Sequence, residues 1–173
     1  MKRQLALAVS AFVVLASSAI AADATATLAA ASASKAAGSV TFTPVAGGLH
    51  VTGEITGLMP GEHGFHLHAK GDCSAPDATS AGDHWNPTSQ AHGAPSAPAH
   101  HSGDLGNITA DASGKAKVDV TVKGISLDGD SSVVGKAVIV HGKADDLKTQ
   151  PSGAAGPRVA CGVVQAAIGT VAH

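Results

Sequence analysis

The sequence of 173 residues has few aromatic side chains, only 2% of the total, and it contains no tyrosine. A core built around large rings is therefore disfavoured. Basic residues are also few, with 11 Lys and Arg against 13 Asp and Glu, for a formal net charge of -2. We therefore expect no nucleic-acid partner, because nucleic-acid-binding domains carry a basic patch or stripe.

Long apolar runs are missing from the chain except at its N-terminus. Lys2 and Arg3 precede an apolar stretch from Leu5 to Ala22, which meets an A-x-A site at residues 19–21. These features are typical of a secretory signal peptide. A transmembrane anchor is less favoured, because Ala and Ser dilute the stretch. We expect cleavage after residue 21 or 22, so that residues 1–21 are the signal peptide and residues 22–173 form one domain.

Cysteine is scarce as well, with only Cys73 and Cys161 in the chain. Export to an oxidising compartment favours disulfides, and two is an even number. We therefore expect one bridge between them, and two buried free thiols are the weaker alternative. In the chain-entropy model so long a loop stabilises the fold by about 4 kcal/mol.

Short alternating runs dominate the rest, and glycine is abundant at 21 residues. The segments 40–55 and 107–125 each read as two strands joined by a turn, at Gly47-Gly48 and at residues 111–114. Further strands are expected in VGKAVIVHG and ACGVVQAAI. This pattern predicts an antiparallel sandwich or barrel. Residues 24–37 are Ala-rich and fit either a helix or an edge strand, and the pattern does not choose between them.

Residues 74–103 have no periodicity, four prolines and four of the ten histidines. Structureless loops of this length inside a compact domain tend to be functional, although disorder is the alternative. Metal coordination can order such a polar loop, since the free energy of binding then becomes free energy of folding.

Histidines outside this loop strengthen the metal interpretation. His66 and His68 share one face of a predicted strand, with Phe65 and Leu67 on the other face. His141 follows another predicted strand, VIVH. Six histidines and one carboxylate then form the candidate ligand set, which comprises His66, His68, His84, His92, His101, Asp104 and His141. Imidazole is the commonest protein ligand for zinc and copper.

The sequence resembles the copper,zinc superoxide dismutases, in the form secreted by bacteria, from about Thr25 to Ile168. The resemblance is carried by HGFHLHAKGDC, AGDHWNP, AHGAP, HSGDLGNITAD, VIVHGKADD and GPRVACGV. It implies an eight-stranded antiparallel Greek-key barrel with long metal-binding and electrostatic loops. It also implies dismutation of superoxide to oxygen and hydrogen peroxide by redox cycling of copper, as a defence against extracytoplasmic superoxide in the periplasm.

The resemblance further implies one copper ion and one zinc ion per subunit. Copper would be held by His66, His68, His84 and His141. Zinc would be held by His84, His92, His101 and Asp104, so that His84 bridges the two ions. His101 is preferred over its neighbour His100, because its spacing to Asp104 matches the family motif. Asp145 would link a copper histidine to a zinc histidine, with Asp146 as the alternative.

Catalytic roles are implied for Arg158, which would orient the superoxide anion, and for His84, which would carry a proton. Arg158 lies three residues before Cys161, so the expected disulfide would hold it near the metal loop. Residues 147–157 form a shorter loop than in animal members and lack their charged run. Which of Lys136, Lys143 and Lys148 guides the substrate is therefore left open.

Two functions from other classes compete with this reading. A periplasmic metal carrier would not need Arg158 and would be expected to show Met or Cys ligands for Cu(I). A zinc hydrolase would need an open coordination position for water, which a full set of four protein ligands does not leave. Monomer and homodimer are both compatible with the sequence.

Overall fold

The computed structural model describes residues 23–167. The predicted signal peptide, its cleavage site and His173 lie outside the described residues. Nine strands and two short 3-10 turns are present in the described chain. They are β1 (Ala24–Ala30), β2 (Ala37–Val45), β3 (Gly48–Thr56), β4 (Gly61–His68), the turn Thr79–Ala81, β5 (Asp104–Ala110), β6 (Ala116–Lys123), the turn Gly129–Ser131, β7 (Ala137–His141), β8 (Arg158–Val163) and β9 (Gln165–Ala166).

Eight of these strands close into an antiparallel barrel, which confirms the predicted fold class. The order around the barrel is β1-β2-β3-β6-β5-β4-β7-β8, and β8 pairs with β1 to complete the circle. Strands β3 and β6, and strands β4 and β7, are neighbours without being consecutive, as Greek-key connections require. The two-residue β9 pairs with the start of β1.

Side chains alternate between the two faces of each strand, and those on one face fill the barrel interior. Val40 and Phe42 of β2, Val51 and Ile55 of β3, and Val118 of β6 are all completely buried. Their spacing of two or four residues follows from the period-2 alternation of a strand. Aliphatic side chains therefore fill a core that contains few large rings.

The Ala-rich segment forms strand β1 and a turn, so the helix alternative is wrong. It is also not an edge strand, because β1 pairs with β2 along one side and with β8 and β9 along the other. Closure of the barrel supplies hydrogen-bond partners on both sides and overrides the helical propensity of alanine. Ser32 and Ala33 turn the chain with positive φ.

Strand β4 carries the features that position the site. Phe65 and Leu67 point into the barrel core, and His66 and His68 point to the opposite face. That face is covered by two segments, which we call the histidine loop (residues 69–103) and the channel loop (residues 142–157). The histidine loop is tied to the barrel by the predicted Cys73–Cys161 disulfide, which is present.

Among residues 23–167, no helix has the length and apolar character needed to cross a membrane.

Candidate metal centre

Seven side chains converge on the covered face of β4 and form two clusters that share His84. One cluster contains His66, His68, His84 and His141, and the other contains His84, His92, His101 and Asp104. In each cluster the potential ligand atoms all lie within 4.8 Å of one another, and every residue is buried. We call them the first cluster and the second cluster.

Backbone pairing places the first cluster. His66 and His68 lie on β4, which pairs with β7, and β7 ends at His141. His84 belongs to the histidine loop, but it forms an isolated antiparallel bridge with His68. The adjacent Trp85 N–H donates to Leu67 O at 2.8 Å. The four imidazoles are therefore held by main-chain hydrogen bonds and not only by each other.

In each ring of the first cluster, one nitrogen has a hydrogen-bond partner outside that cluster, and the other nitrogen has none. In the described chain, the buried nitrogens that lack a hydrogen bond are His66 Nδ1, His68 Nε2, His84 Nε2 and His141 Nε2. Four unpartnered polar atoms meeting at one buried point are costly unless something binds them. They fit a metal ion with imidazole ligands.

In three of these rings, the hydrogen bond made by the other nitrogen explains how the lone pair is oriented. His68 Nδ1 donates to Gly82 O at 2.7 Å and His141 Nδ1 donates to Gly156 O at 3.2 Å. His66 Nε2 donates to Asp145 Oδ2 at 2.8 Å. A proton held on that nitrogen leaves the lone pair of the other nitrogen facing the cluster.

Protonation of the imidazoles does not compete strongly with metal binding at the first cluster. Burial lowers the pKa of His68 to about 2 and that of His141 to about 3. Burial also lowers the pKa of His66 to about 4, although its hydrogen bond to Asp145 acts in the opposite direction. These imidazoles are therefore neutral near pH 7, which is the form that binds metals.

The second cluster is arranged around one oxygen of Asp104. The Nδ1 atoms of His84, His92 and His101 lie 2.8, 3.0 and 3.3 Å from Asp104 Oδ1. With ligand bonds of about 2.0–2.1 Å, the corners of a tetrahedron are about 3.3 Å apart. The donor set of three imidazoles and one carboxylate therefore fits a four-coordinate zinc ion.

The carboxylates favour a positive charge at the second cluster. Burial opposes ionisation of Asp104, but hydrogen bonds from His84 and from the backbone of His101 and Gly93 hold its pKa well below its usual range. Burial lowers the pKa of His92, yet its hydrogen bond to Asp145 and the charge of Asp104 outweigh that effect and raise it. A cation placed here would be stabilised by the same charges.

His84 presents one nitrogen to each cluster. Its Nδ1 lies beside Asp104 in the second cluster, and its Nε2 is the unpartnered atom that belongs to the first cluster. The centroid of its ring is 4.1 Å from that of His66 and 5.4 Å from that of His101. The ring can therefore bridge two ions.

Asp145 links the two clusters through one histidine of each. Its Oδ2 accepts a hydrogen bond from His66 Nε2 and its Oδ1 accepts one from His92 Nε2 at 2.9 Å. Burial raises the pKa of Asp145, but these hydrogen bonds outweigh burial and lower it to about 2. Asp146, the alternative from the sequence, is exposed and bonds the backbone of its own loop instead.

Comparison with known proteins agrees with this arrangement. Residues 36–164 match the family model of copper/zinc superoxide dismutase (SODC). The chain belongs to the copper/zinc superoxide dismutase family. It is 44% identical over 126 residues to "Superoxide dismutase [Cu-Zn] 3" of Arabidopsis thaliana, covering 69% of this chain and 76% of that protein. It also resembles the crystal structure of the clock protein EA4, with a TM-score of 0.76 and 41% identity over 88% of this chain and 99% of the other.

Membership identifies the chain as an oxidoreductase, a copper/zinc superoxide dismutase. The family implies copper and zinc, and the two clusters fit these ions by their donor sets. The predicted membership is therefore confirmed at the level of the family, while the relative whose organism is named is from a plant and not from a bacterium.

A cavity of about 700 Å³ gives access to the first cluster of this dismutase. His68, His84 and His141 line it together with Arg158, and the channel loop contributes Pro151 and Ser152. The guanidinium of Arg158 is held by two carbonyl groups of the histidine loop. Its Nη1 donates to Ala78 O and its Nη2 to Gly82 O, both at 2.7 Å. Arg158 is therefore fixed in the cavity wall beside the imidazoles.

Two of the lysines that the sequence left open adjoin this cavity. Lys136 Nζ lies 5.5 Å from the ring centroid of Trp85, which lines the cavity. The stem of Lys143 lies beside Gly156, another lining residue.

The remaining histidines described by the structure stand outside both clusters. His63 is buried, with Nδ1 near His141 O and Nε2 near Met59 O, both at 2.7 Å. His100 donates from Nδ1 to Ala97 O, and His50 pairs with Asp119 on the barrel surface.

Sequence reasoning missed two amide side chains next to the clusters. Asn107 exchanges two hydrogen bonds with the backbone of Asp145, at 2.8 and 2.9 Å. Gln150 does the same with the backbone of His92, at 2.8 and 2.9 Å. Asn107 lies in the HSGDLGNITAD motif and could have been found there, whereas nothing in the sequence around Gln150 indicates its partner.

Proposed function

We propose that this chain removes superoxide outside the cytoplasm of a bacterium, in the periplasm, with one copper ion and one zinc ion per subunit. Residues 1–21 support export, since they have the charged start, apolar run and small-residue site of a cleaved signal peptide. The Cys73–Cys161 disulfide also supports it, because disulfides persist in oxidising compartments.

In this proposal the first cluster holds copper and the second holds zinc. The observation that carries the assignment is which ring nitrogens have a hydrogen-bond partner and which do not. Four buried nitrogens without partners point to one place, and the second nitrogen of His84 points to a carboxylate-containing cluster. Four imidazoles suit copper, while three imidazoles and a carboxylate suit a structural zinc.

When bound, copper supplies the one-electron redox chemistry of dismutation, and zinc supplies a fixed positive charge beside it. Arg158 draws the superoxide anion into the cavity and orients it, because its guanidinium is planar, permanently charged and fixed by two carbonyls. His84 Nε2 is buried and faces the first cluster, while Nδ1 is held at the second cluster. A proton carried on that Nε2 would therefore be kept in a defined position at the first cluster.

The test is to load the purified protein with copper and zinc, determine metal content, and measure superoxide removal. His141→Ala removes one nitrogen of the first cluster, so it is expected to lose copper and activity while keeping zinc. His100→Ala is the matched control, because His100 adjoins a cluster residue but belongs to neither cluster. Full activity of His141→Ala would show that the copper assignment is wrong.

An unaltered protein that binds both metals but does not remove superoxide would favour the metal-carrier function. Location is tested by expressing the full-length chain in a bacterium and determining the N-terminal residue of the fractionated protein. The proposal expects a periplasmic protein that begins at residue 22 or 23. Recovery of an uncleaved protein from the cytoplasm would contradict it.

A further inference from the structure

Hydrogen bonds between the histidine loop and the channel loop are concentrated on one residue, His92. In the described residues 23–167, every hydrogen bond that joins these two loops is made by His92. One of the three runs from the His92 ring to Asp145. The other two run between the His92 backbone and the side chain of Gln150. Most of the polar connection between the loops therefore depends on one exposed-loop glutamine.

The amide of Gln150 fits the backbone of His92 at two points. Its Oε1 accepts from His92 N–H at 2.8 Å, and its Nε2 donates to His92 O at 2.9 Å, across a separation of 58 residues. Nε2 also donates to Lys148 O at 3.1 Å, within the channel loop. A planar amide that satisfies both groups fixes the orientation of the His92 backbone as well as its position.

On its other side, Gln150 adjoins the wall of the cavity. Pro151 and Ser152 follow it directly and line the cavity with Arg158. Gly153 then packs against the Asp145 carboxylate and the His92 ring so closely that a Cβ at Gly153 would overlap both. Its N–H donates to Thr149 O at 2.7 Å, which closes the turn that contains Gln150. A displacement of Gln150 would therefore move both the wall and the support of His92.

We propose that Gln150 is a positioning residue that couples the second cluster to the cavity wall. It orients His92 for zinc and holds residues 151–152 in place, so that zinc binding and the shape of the substrate entrance depend on each other. This inference rests on the proposed function, because it assigns zinc to the second cluster. Gln150 itself touches neither cluster through a ligand atom, so it acts only through His92.

The test compares Gln150→Ala with Gln90→Ala in the metal-loaded protein. Gln90 is a matched control, since it lies in the histidine loop two residues before His92 and its amide bonds only the nearby Thr88 O. Three quantities are measured: the rate of zinc release to a chelator, the retention of copper, and backbone hydrogen exchange in residues 142–157.

For Gln150→Ala we expect zinc release to accelerate by about tenfold, the lower end of effects seen when an outer partner of a metal ligand is removed. Exchange in the channel loop is expected to rise, and copper retention to stay at the level of the unaltered protein. Gln90→Ala should leave all three quantities unchanged.

Gln150→Glu is a second variant, with the same length and nearly the same shape. It keeps an acceptor for His92 N–H but loses the donor to His92 O, so zinc release should again accelerate. Release at the unaltered rate in both Gln150 variants would overturn the inference, and so would parallel loss of zinc and copper, which indicates general destabilisation. If the unaltered protein binds no zinc, the proposed function fails and the inference fails with it.

Discussion

Substitution of Asp145 by asparagine tests the link between the two clusters most directly. The carboxylate accepts hydrogen bonds from His66 Nε2 at Oδ2 and from His92 Nε2 at Oδ1, and Oδ1 also accepts one from Leu147 N–H. Asn has the same shape but replaces one acceptor oxygen by an NH₂ donor. One of the two rings must then offer a lone pair at Nε2 and carry its proton on Nδ1. In both rings Nδ1 is the atom that faces a cluster.

The size of the effect follows from this forced change of tautomer. Loss of an outer hydrogen-bond partner typically lowers metal affinity by about 10–100-fold, and each tenfold step corresponds to about 1.4 kcal/mol. We therefore expect a cost of about 1.4–2.8 kcal/mol at one cluster. The first cluster should be affected more, because Leu147 N–H and His92 Nε2 both donate to Oδ1 and hold the Asn oxygen there, which leaves the NH₂ group facing His66.

The assay is competition with a chelator, followed by determination of zinc and copper in the protein. Asp146→Asn is the matched control, since Asp146 is the next residue, is exposed, and its carboxylate accepts hydrogen bonds from Lys148 and Thr149 of its own loop. If Asp145→Asn retains both metals as tightly as Asp146→Asn does, the carboxylate does not fix the tautomers and the reasoning is refuted.

Three further outcomes are expected. Arg158→Lys should lower the rate of superoxide removal by about tenfold without changing metal content. The reason is that one ammonium group cannot replace a guanidinium that donates to two carbonyl groups at once. An unchanged rate measured by pulse radiolysis would contradict this. Cys161→Ser, which leaves Cys73 unpaired, should lower the free energy of unfolding in urea by about 4 kcal/mol, because the bridge closes a loop with a sequence separation of 88 residues. Phe42→Ala should cost about 3–5 kcal/mol of stability in the same assay, since Phe42 is completely buried, whereas Met59→Ala, at 75% exposure, should cost less than about 0.5 kcal/mol.

Much of the barrel could be predicted because its determinants are local. The alternation around Val40 and Phe42, and the glycine turn after Val45, fix two strands and their register without reference to the rest of the chain. The Ala-rich segment could not be assigned this way. Its strand conformation depends on pairing with β2 and, more than 100 residues away, with β8, and local propensity contains neither partner.

The residues available for metal chemistry, and the motifs that contain them, could be identified from the amino-acid sequence, because ligand chemistry resides in residue type and short spacing. The two cysteines indicated the disulfide, and the resemblance carried by the motifs implied both clusters and the shared ring of His84. Which nitrogen of each ring lacks a partner follows from the folded structure, since it depends on carbonyl groups such as Gly82 O that any residue could supply. The folded structure alone also revealed the contact between Gln150 and His92, because a side chain that bonds a backbone leaves no residue-type pattern at the partner position.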